Sequence, residues 1–238
     1  MRVISYIGLG LICAIPASGV AQGTSGSLDF NVYPYLGDVD TSTSFTLNIA
    51  ANLSERLSYF SLNNLNDEDG DGSYSDGTAY FMEHNLRWEL GDDSPLDLTF
   101  QTNIRKGSKN NRHRLGLRWR LNDTSYMREF FARYNLSYFV NFHPVQFDHE
   151  DAHVWQIEHV FRLQLPQISD RIYISGFVDH TFNEDLPSGF PSAPFVAEVQ
   201  AGYRIAGDFY VVAEHRLNEY RRSDVNNFTL GVEYIARW

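Results

Sequence analysis

The sequence predicts an all-β protein: a transmembrane antiparallel up-and-down β-barrel of about 12 strands, preceded by a signal peptide. Three observations lead to this prediction. Apolar and polar residues alternate along one segment after another, aromatic residues are abundant (17 Phe, 14 Tyr and 4 Trp), and the chain opens with a short apolar run. Alternation with a period of two is typical of strands whose two faces meet different surroundings.

Residues 1–21 predict a secretory signal peptide. Arg2 is followed by the apolar run VISYIGLGLICAI and then by small residues up to Gln22. The run is too short to span a bilayer comfortably, and its flanks are those of a cleaved signal. We therefore expect residues 22–238 to form a single barrel domain. Cys13, the one cysteine, lies in the signal, so the mature chain has no thiol chemistry.

The charge balance limits the partners. The chain has 30 acidic and 19 basic residues, a formal net charge of −11. Since nucleic acids attract basic surfaces, this excess of acid argues against nucleic acid as a partner. No segment after the signal is apolar for 18 residues, which excludes helical membrane spans and leaves strands.

The alternation is clearest in residues 227–238. The even positions from Phe228 to Trp238 are apolar or aromatic, whereas Glu233 and Arg237 fall on the other face. A soluble β-sandwich also alternates, but here aromatic residues gather near strand ends and the polar face is charged. That combination matches a barrel with aromatic girdles outside and a hydrophilic interior. The aromatic last strand also predicts recognition by barrel-assembly machinery.

Twelve segments carry the pattern, and lengths of roughly 9 to 12 residues suit tilted spanning strands. They are 28–35, 44–53, 56–64, 79–90, 96–105, 112–121, 129–142, 153–165, 171–182, 195–205, 208–218 and 227–238. Shorter and longer connections mostly alternate between them, which predicts that both termini are periplasmic. Ten strands is the alternative, because Pro34 would remove a ladder hydrogen bond from a central strand.

The inward face of the barrel is where a functional site is expected. The predicted pore-lining residues are Phe81, Glu83, Arg87, Arg105, Arg114, Arg118, Arg133, Glu158, Glu198, Tyr210, Glu214 and Glu233. An arginine wall that faces a carboxylate wall creates a transverse field, to which polar or anionic solutes respond. A salt-bridged filling that closes the lumen is the alternative.

Neither catalysis nor a cofactor is predicted. The outward His-x-Ser pattern of barrel lipases occurs nowhere in the sequence. Asp67, Asp69 and Asp71 match the start of a calcium loop, but Thr78 stands where the bidentate carboxylate belongs. Weak cation binding by this loop is therefore a secondary hypothesis, and a solvated loop is the default.

One segment carries a resemblance to a known family. AYFMEHNLRWEL, residues 79–90, contains the pattern F-M-E-x-x-x-R after an acidic loop. It resembles the corresponding strand of the nucleoside-specific channel-forming porins of the outer membrane, the Tsx-like family. The resemblance implies a twelve-stranded channel that passes nucleosides, with Phe81, Glu83 and Arg87 at the pore.

Together these observations predict a monomeric outer-membrane channel of a Gram-negative cell. Small polar solutes would diffuse through it passively, and nucleosides are the solutes that the resemblance favours. The expected partners are outer-membrane lipids, these solutes and the assembly machinery. Two alternatives stay open: a plugged structural or adhesive barrel, and an outer-membrane hydrolase.

Overall fold

Twelve strands form one closed antiparallel barrel in the computed structural model, which describes residues 24–34, 43–67, 78–106, 111–147, 153–222 and 225–238. The strands are β1 (Ser25–Pro34), β2 (Thr43–Asn52), β3 (Leu57–Asp67), β4 (Thr78–Glu89), β5 (Leu96–Arg105), β6 (Arg112–Arg120), β7 (Leu136–Phe147), β8 (Trp155–Gln164), β9 (Ile172–Phe182), β10 (Phe195–Ala206), β11 (Phe209–Asn218) and β12 (Asn226–Arg237). Each strand pairs with its neighbours in sequence, and β1 pairs with β12 to close the ring. The prediction of twelve strands is confirmed. The ten-strand alternative is wrong, because Pro34 is the last residue of a fully paired β1.

Exposure of side chains is inverted relative to a soluble protein. On β4 and β5, Leu86, Trp88 and Leu98 are 43%, 50% and 42% exposed, whereas Asn85 and Thr99 are 1% and 0% exposed. Apolar side chains therefore cover the outside, and polar side chains fill the inside. Such a surface suits lipid hydrocarbon, in which the closed ladder also satisfies the backbone hydrogen bonds. No helix in the described part of the chain has the length and hydropathy needed to cross a membrane.

Aromatic rings gather on the outer face near the end where the longer connections lie, here called the long-loop end. Trp155 stacks on Phe182 with ring centroids 3.9 Å apart, and His180 lies 3.9 Å from both Phe182 and Phe195. These rings join β8, β9 and β10. Aromatic residues prefer the interface between hydrocarbon and head groups, so this row marks one membrane boundary.

The connection between β6 and β7 differs from the prediction. The predicted strand 129–142 begins too early, because Arg128–Tyr134 form a short helix, α1, and β7 starts at Leu136. The segment is ambiguous: Phe130 and Tyr134 fit the period of a strand but also the i, i+4 spacing of a helix, and their rings lie 5.0 Å apart. Asn135 ends α1 in the left-handed conformation, with φ 51°.

A β-bulge in β7 shapes the lumen wall. Leu117 pairs with Phe142, but Leu115 pairs with Val145, so β7 holds one extra residue opposite Gly116. A Cβ atom at Gly116 would lie 2.0 Å from the carbonyl oxygen of Phe142, so only glycine fits there. The bulge bends β7 and lets the strand keep its polar face inward on both sides of the irregularity.

A packed cluster narrows the lumen beside β1 and β12. It consists of Tyr33, Tyr173, Tyr210, Val212 and Ile235. The ring of Tyr173 covers Gly202, its register partner on β10, where a Cβ atom would lie 2.2 Å from the ring. Tyr173, Tyr210 and Ile235 of this cluster also line the open space at the end of the barrel where the short turns lie.

Candidate pore

Two cavities lie in the lumen that the described residues enclose. The larger, of about 830 Å³, begins at the long-loop end beside Tyr220 and reaches down to Arg118 and Arg162. We call it the upper cavity. The lower cavity, of about 460 Å³, lies at the opposite, short-turn end beside Asp208 and is also lined by Arg162. The Arg162 side chain therefore lies where the two cavities meet.

Basic side chains outnumber acidic ones in the upper cavity. Its described lining holds eight basic residues and four acidic ones: Arg87, Arg105, Lys106, Arg112, Arg114, Arg118, Arg162 and Arg216, against Glu83, Glu158, Asp179 and Glu198. Most of the basic residues lie on β4, β5 and β6, and three of the four acidic residues lie on β8, β9 and β10. The basic and acidic side chains of the upper cavity thus lie mainly on different strands, and basic side chains are in excess there although the whole chain is acidic.

Four guanidinium groups lie over aromatic rings in this lumen. The pairs are Arg87 with Phe60 (5.3 Å from guanidinium carbon to ring centroid), Arg105 with Phe81 (5.1 Å), Arg118 with Phe139 (4.2 Å) and Arg162 with Tyr173 (3.9 Å). Each such contact contributes about 0.5–2 kcal/mol, depending on how far it is desolvated. A ring holds a cation in place without neutralising it. Among the described residues, the Nε atoms of Arg87 and Arg105 have no hydrogen-bond partner.

Other arginines in the lumen are compensated. Arg216 pairs with Glu198 at 2.7 Å, and Arg120 pairs with Asp97 at 2.7 Å and with Glu89 at 2.5 Å near the short-turn end. The hypothesis of a salt-bridged filling therefore describes part of the lumen. Arg118 has both kinds of partner, since it lies over Phe139 and also 3.7 Å from Asp97.

A hydrogen-bonded network fixes the ring beneath Arg162. The Tyr173 hydroxyl donates to Glu233 Oε2 at 2.5 Å, and Gln200 Nε2 donates to the same hydroxyl and to Glu233 Oε1. Tyr33 donates in turn to Gln200 Oε1. Because every member of the network has partners, Tyr173 is a rigid support, and the position of Arg162 over it is well defined.

The structure places most of the predicted site residues in the lumen. Phe81, Glu83, Arg87, Arg105, Arg114, Arg118, Glu158 and Glu198 line the upper cavity, and Tyr210 lines the lower one. Glu214 and Glu233 face inward and are buried, beside Arg216 and Tyr173 respectively. Arg133 is the correction: it lies exposed on α1, in the connection between β6 and β7 and not on a barrel strand, because its segment is helical.

Several lumen residues were absent from the predicted set, and three of them matter for the function proposed below. Arg162 shares the inward face of β8 with Glu158, so the alternation already carried a signal for it. Glu184 and Tyr220 lie in the connections that follow β9 and β11, where the sequence has no periodic pattern. Nothing in the local sequence indicates that these two side chains turn inward.

Two predictions fall outside the described residues. Residues 1–21, the predicted signal peptide, are among them, and so are Asp69 and Asp71 of the acidic loop, which Asp67 precedes at the end of β3. Weak cation binding by that loop stays a prediction. Within the part of the chain that the structure describes, no three His, Cys, Asp or Glu side chains are grouped to hold a metal ion.

The closed barrel, its apolar outer face and its polar lumen define the fold as that of the outer-membrane porins. Among solved structures, the chain is similar to "KdgM porin" (15% identity, TM-score 0.51) and to "KdgM porin in complex with disordered oligogalacturonate" (same values), in each case over 87% of this chain and 98% of that chain. It is also similar to a structure of the NanC porin (11% identity, TM-score 0.56), with the same coverage. At these identities the similarity concerns the fold. No protein-family profile matches the sequence, and no curated protein matches it.

Proposed function

We propose that this protein is an outer-membrane channel through which small polar solutes diffuse passively. The observation that carries the proposal is that Arg162 lines both the upper cavity and the lower cavity, one from each end of the barrel. A solute that moves past this one side chain passes from the long-loop end to the short-turn end. The polar lumen and apolar exterior support the same conclusion, since only the interior offers hydrogen bonds to a solute.

Within that class, the lining favours solutes that carry negative charge or hydrogen-bonding groups on a ring. Nucleosides are the finer proposal, supported by Phe81, Glu83 and Arg87, which carry the resemblance to the nucleoside-specific porins and line the upper cavity. Acidic sugars are the second candidate. Two observations favour them: the excess of basic side chains in the cavity, and the oligogalacturonate named with the KdgM porin, whose fold is similar.

Liposome swelling distinguishes these candidates. Liposomes that contain the purified mature protein would be placed in isotonic galactose, sodium galacturonate or adenosine, with boiled protein as the control. We expect swelling in all three. Fastest swelling in galacturonate would favour acidic sugars, whose carboxylate the ring-held arginines attract. Faster swelling in adenosine than in either sugar would favour nucleosides. Swelling no faster than with boiled protein would contradict the channel and favour a plugged barrel.

A further inference from the structure

The connection between β9 and β10, residues 183–194, reaches across part of the barrel mouth to β6. Glu184 of this connection is only 8% exposed. Arg112 on β6 donates two hydrogen bonds to it, from Nη1 to Oε1 at 2.6 Å and from Nη2 to Oε2 at 3.0 Å. Since β6 and β9 are three strands apart in the ring, this contact crosses part of the mouth.

A second connection holds the same carboxylate. Tyr220, between β11 and β12, donates its hydroxyl proton to Glu184 Oε1 at 2.7 Å. Burial and the neighbouring Glu184 raise the pKa of Tyr220 to about 12, so this hydroxyl is a donor at neutral pH. Arg112 and Tyr220 both line the upper cavity. Three donated bonds, two of them in the planar bidentate geometry, form a complete recognition site for a carboxylate.

We propose that Arg112 and Tyr220 form an entry site for carboxylate solutes, which the chain's own Glu184 occupies until a solute carboxylate displaces it. Displacement releases residues 183–194 from β6 and widens the mouth. The identity of the displacing solute rests on the proposed channel function, whereas the occupied site itself does not.

The exchange replaces one carboxylate at the site with another. A solute carboxylate accepts the same bonds that Glu184 accepts, so neither the Arg112 charge nor the Tyr220 hydroxyl is left without a partner. The solute competes only with the Glu184 carboxylate, whose effective concentration at the site is high because it is tethered to the barrel. Weaker contacts hold the rest of the connection. An example is the Arg222 guanidinium, whose carbon lies 5.2 Å from the centroid of the Phe190 ring. Carboxylate solutes are therefore the ones that free this connection and widen the mouth.

Spin-label mobility tests this proposal without any need for transport. A nitroxide would be attached at Ser188→Cys, an exposed position of the connection, in the full mature protein in nanodiscs. We expect a broad, immobilised spectrum that sharpens on addition of sodium galacturonate but not of galactose. With Glu184→Gln or Glu184→Ala, the spectrum should be sharp from the start. Asp185→Asn is the matched control, because it removes the same charge from the exposed neighbour and should leave the spectrum broad.

Two results would overturn the proposal: equal label mobility with Glu184 and with either replacement, or no greater effect of galacturonate than of galactose. Retained heat-modifiability on gel electrophoresis would show that each variant is folded. The outcome is separable from the channel function. If galacturonate mobilises the label but the protein causes no liposome swelling, the carboxylate site is supported and the channel is contradicted. If the liposomes swell but the label does not respond, the channel is supported and the carboxylate site is contradicted.

Discussion

Replacing Arg162 with glutamate is expected to reverse the charge selectivity of the pore and to lower anion permeation roughly tenfold. Arg162 lines both cavities, so every solute on the proposed route passes it. At about 4 Å, two unit charges interact by about 1 kcal/mol in water and about 4 kcal/mol near a protein surface, and about 1.4 kcal/mol corresponds to a factor of ten in rate. The substitution changes the local charge by two, in a lumen where screening by solvent is incomplete.

Reversal potentials in planar bilayers under a salt gradient measure this effect. Arg162→Gln should shift the potential in the same direction by a smaller amount. Arg133→Glu is the matched control: it makes the same change of charge at an exposed position on α1 that lines neither cavity, and should leave selectivity as it is. Unchanged selectivity in folded Arg162→Glu protein would show that solutes do not pass this side chain.

Replacing Gly116 with alanine is expected to destabilise the barrel by about 3 kcal/mol. The added Cβ would lie 2.0 Å from the Phe142 carbonyl oxygen and 2.9 Å from His143 Cα, and both of these atoms belong to backbone that cannot turn aside. The bulge of β7 would have to move. Urea unfolding in detergent or lipid, read by heat-modifiability on gels, measures the loss.

Gly91→Ala is the control for that experiment. Its Cβ would meet only the Cβ of Ser94, at an ordinary 3.7 Å, so the change in unfolding free energy should stay within about 0.5 kcal/mol. A folded Gly116→Ala protein should also conduct differently, because the bulge positions Gln146, whose Oε1 accepts a bond of 2.8 Å from Arg114. Equal stability of the two variants would contradict the described packing of β7 against β6.

The sequence was sufficient for most of the wall because each strand faces lipid on one side and water or protein on the other. This contrast makes apolar and polar residues alternate along each strand, and the alternation is visible in the sequence of each segment. The pattern failed at Phe130–Tyr134, where aromatic spacing fits a helix as well as a strand, and the failure placed Arg133 in the lumen. Only the pairing of β7 with β6 and β8 decides where that strand begins.

Contacts between inward side chains could not be predicted in the same way. The inward direction of Arg87 follows from alternation, but the placement of its guanidinium over the Phe60 ring depends on the register of β3 with β4. Glu184 and Arg112 are 72 residues apart, and they meet only because the barrel has this circumference and the connection folds inward. Such contacts are properties of the closed ring and not of any segment.

The most direct test of the account is a planar-bilayer recording of the purified protein under a potassium chloride gradient. The account predicts discrete conductance steps and a reversal potential displaced towards that of chloride, because basic side chains exceed acidic ones in the described lining of the upper cavity. A membrane that holds the folded barrel but shows no steps would contradict the channel, and a potential displaced towards that of potassium would contradict the arginine lining as the selective element.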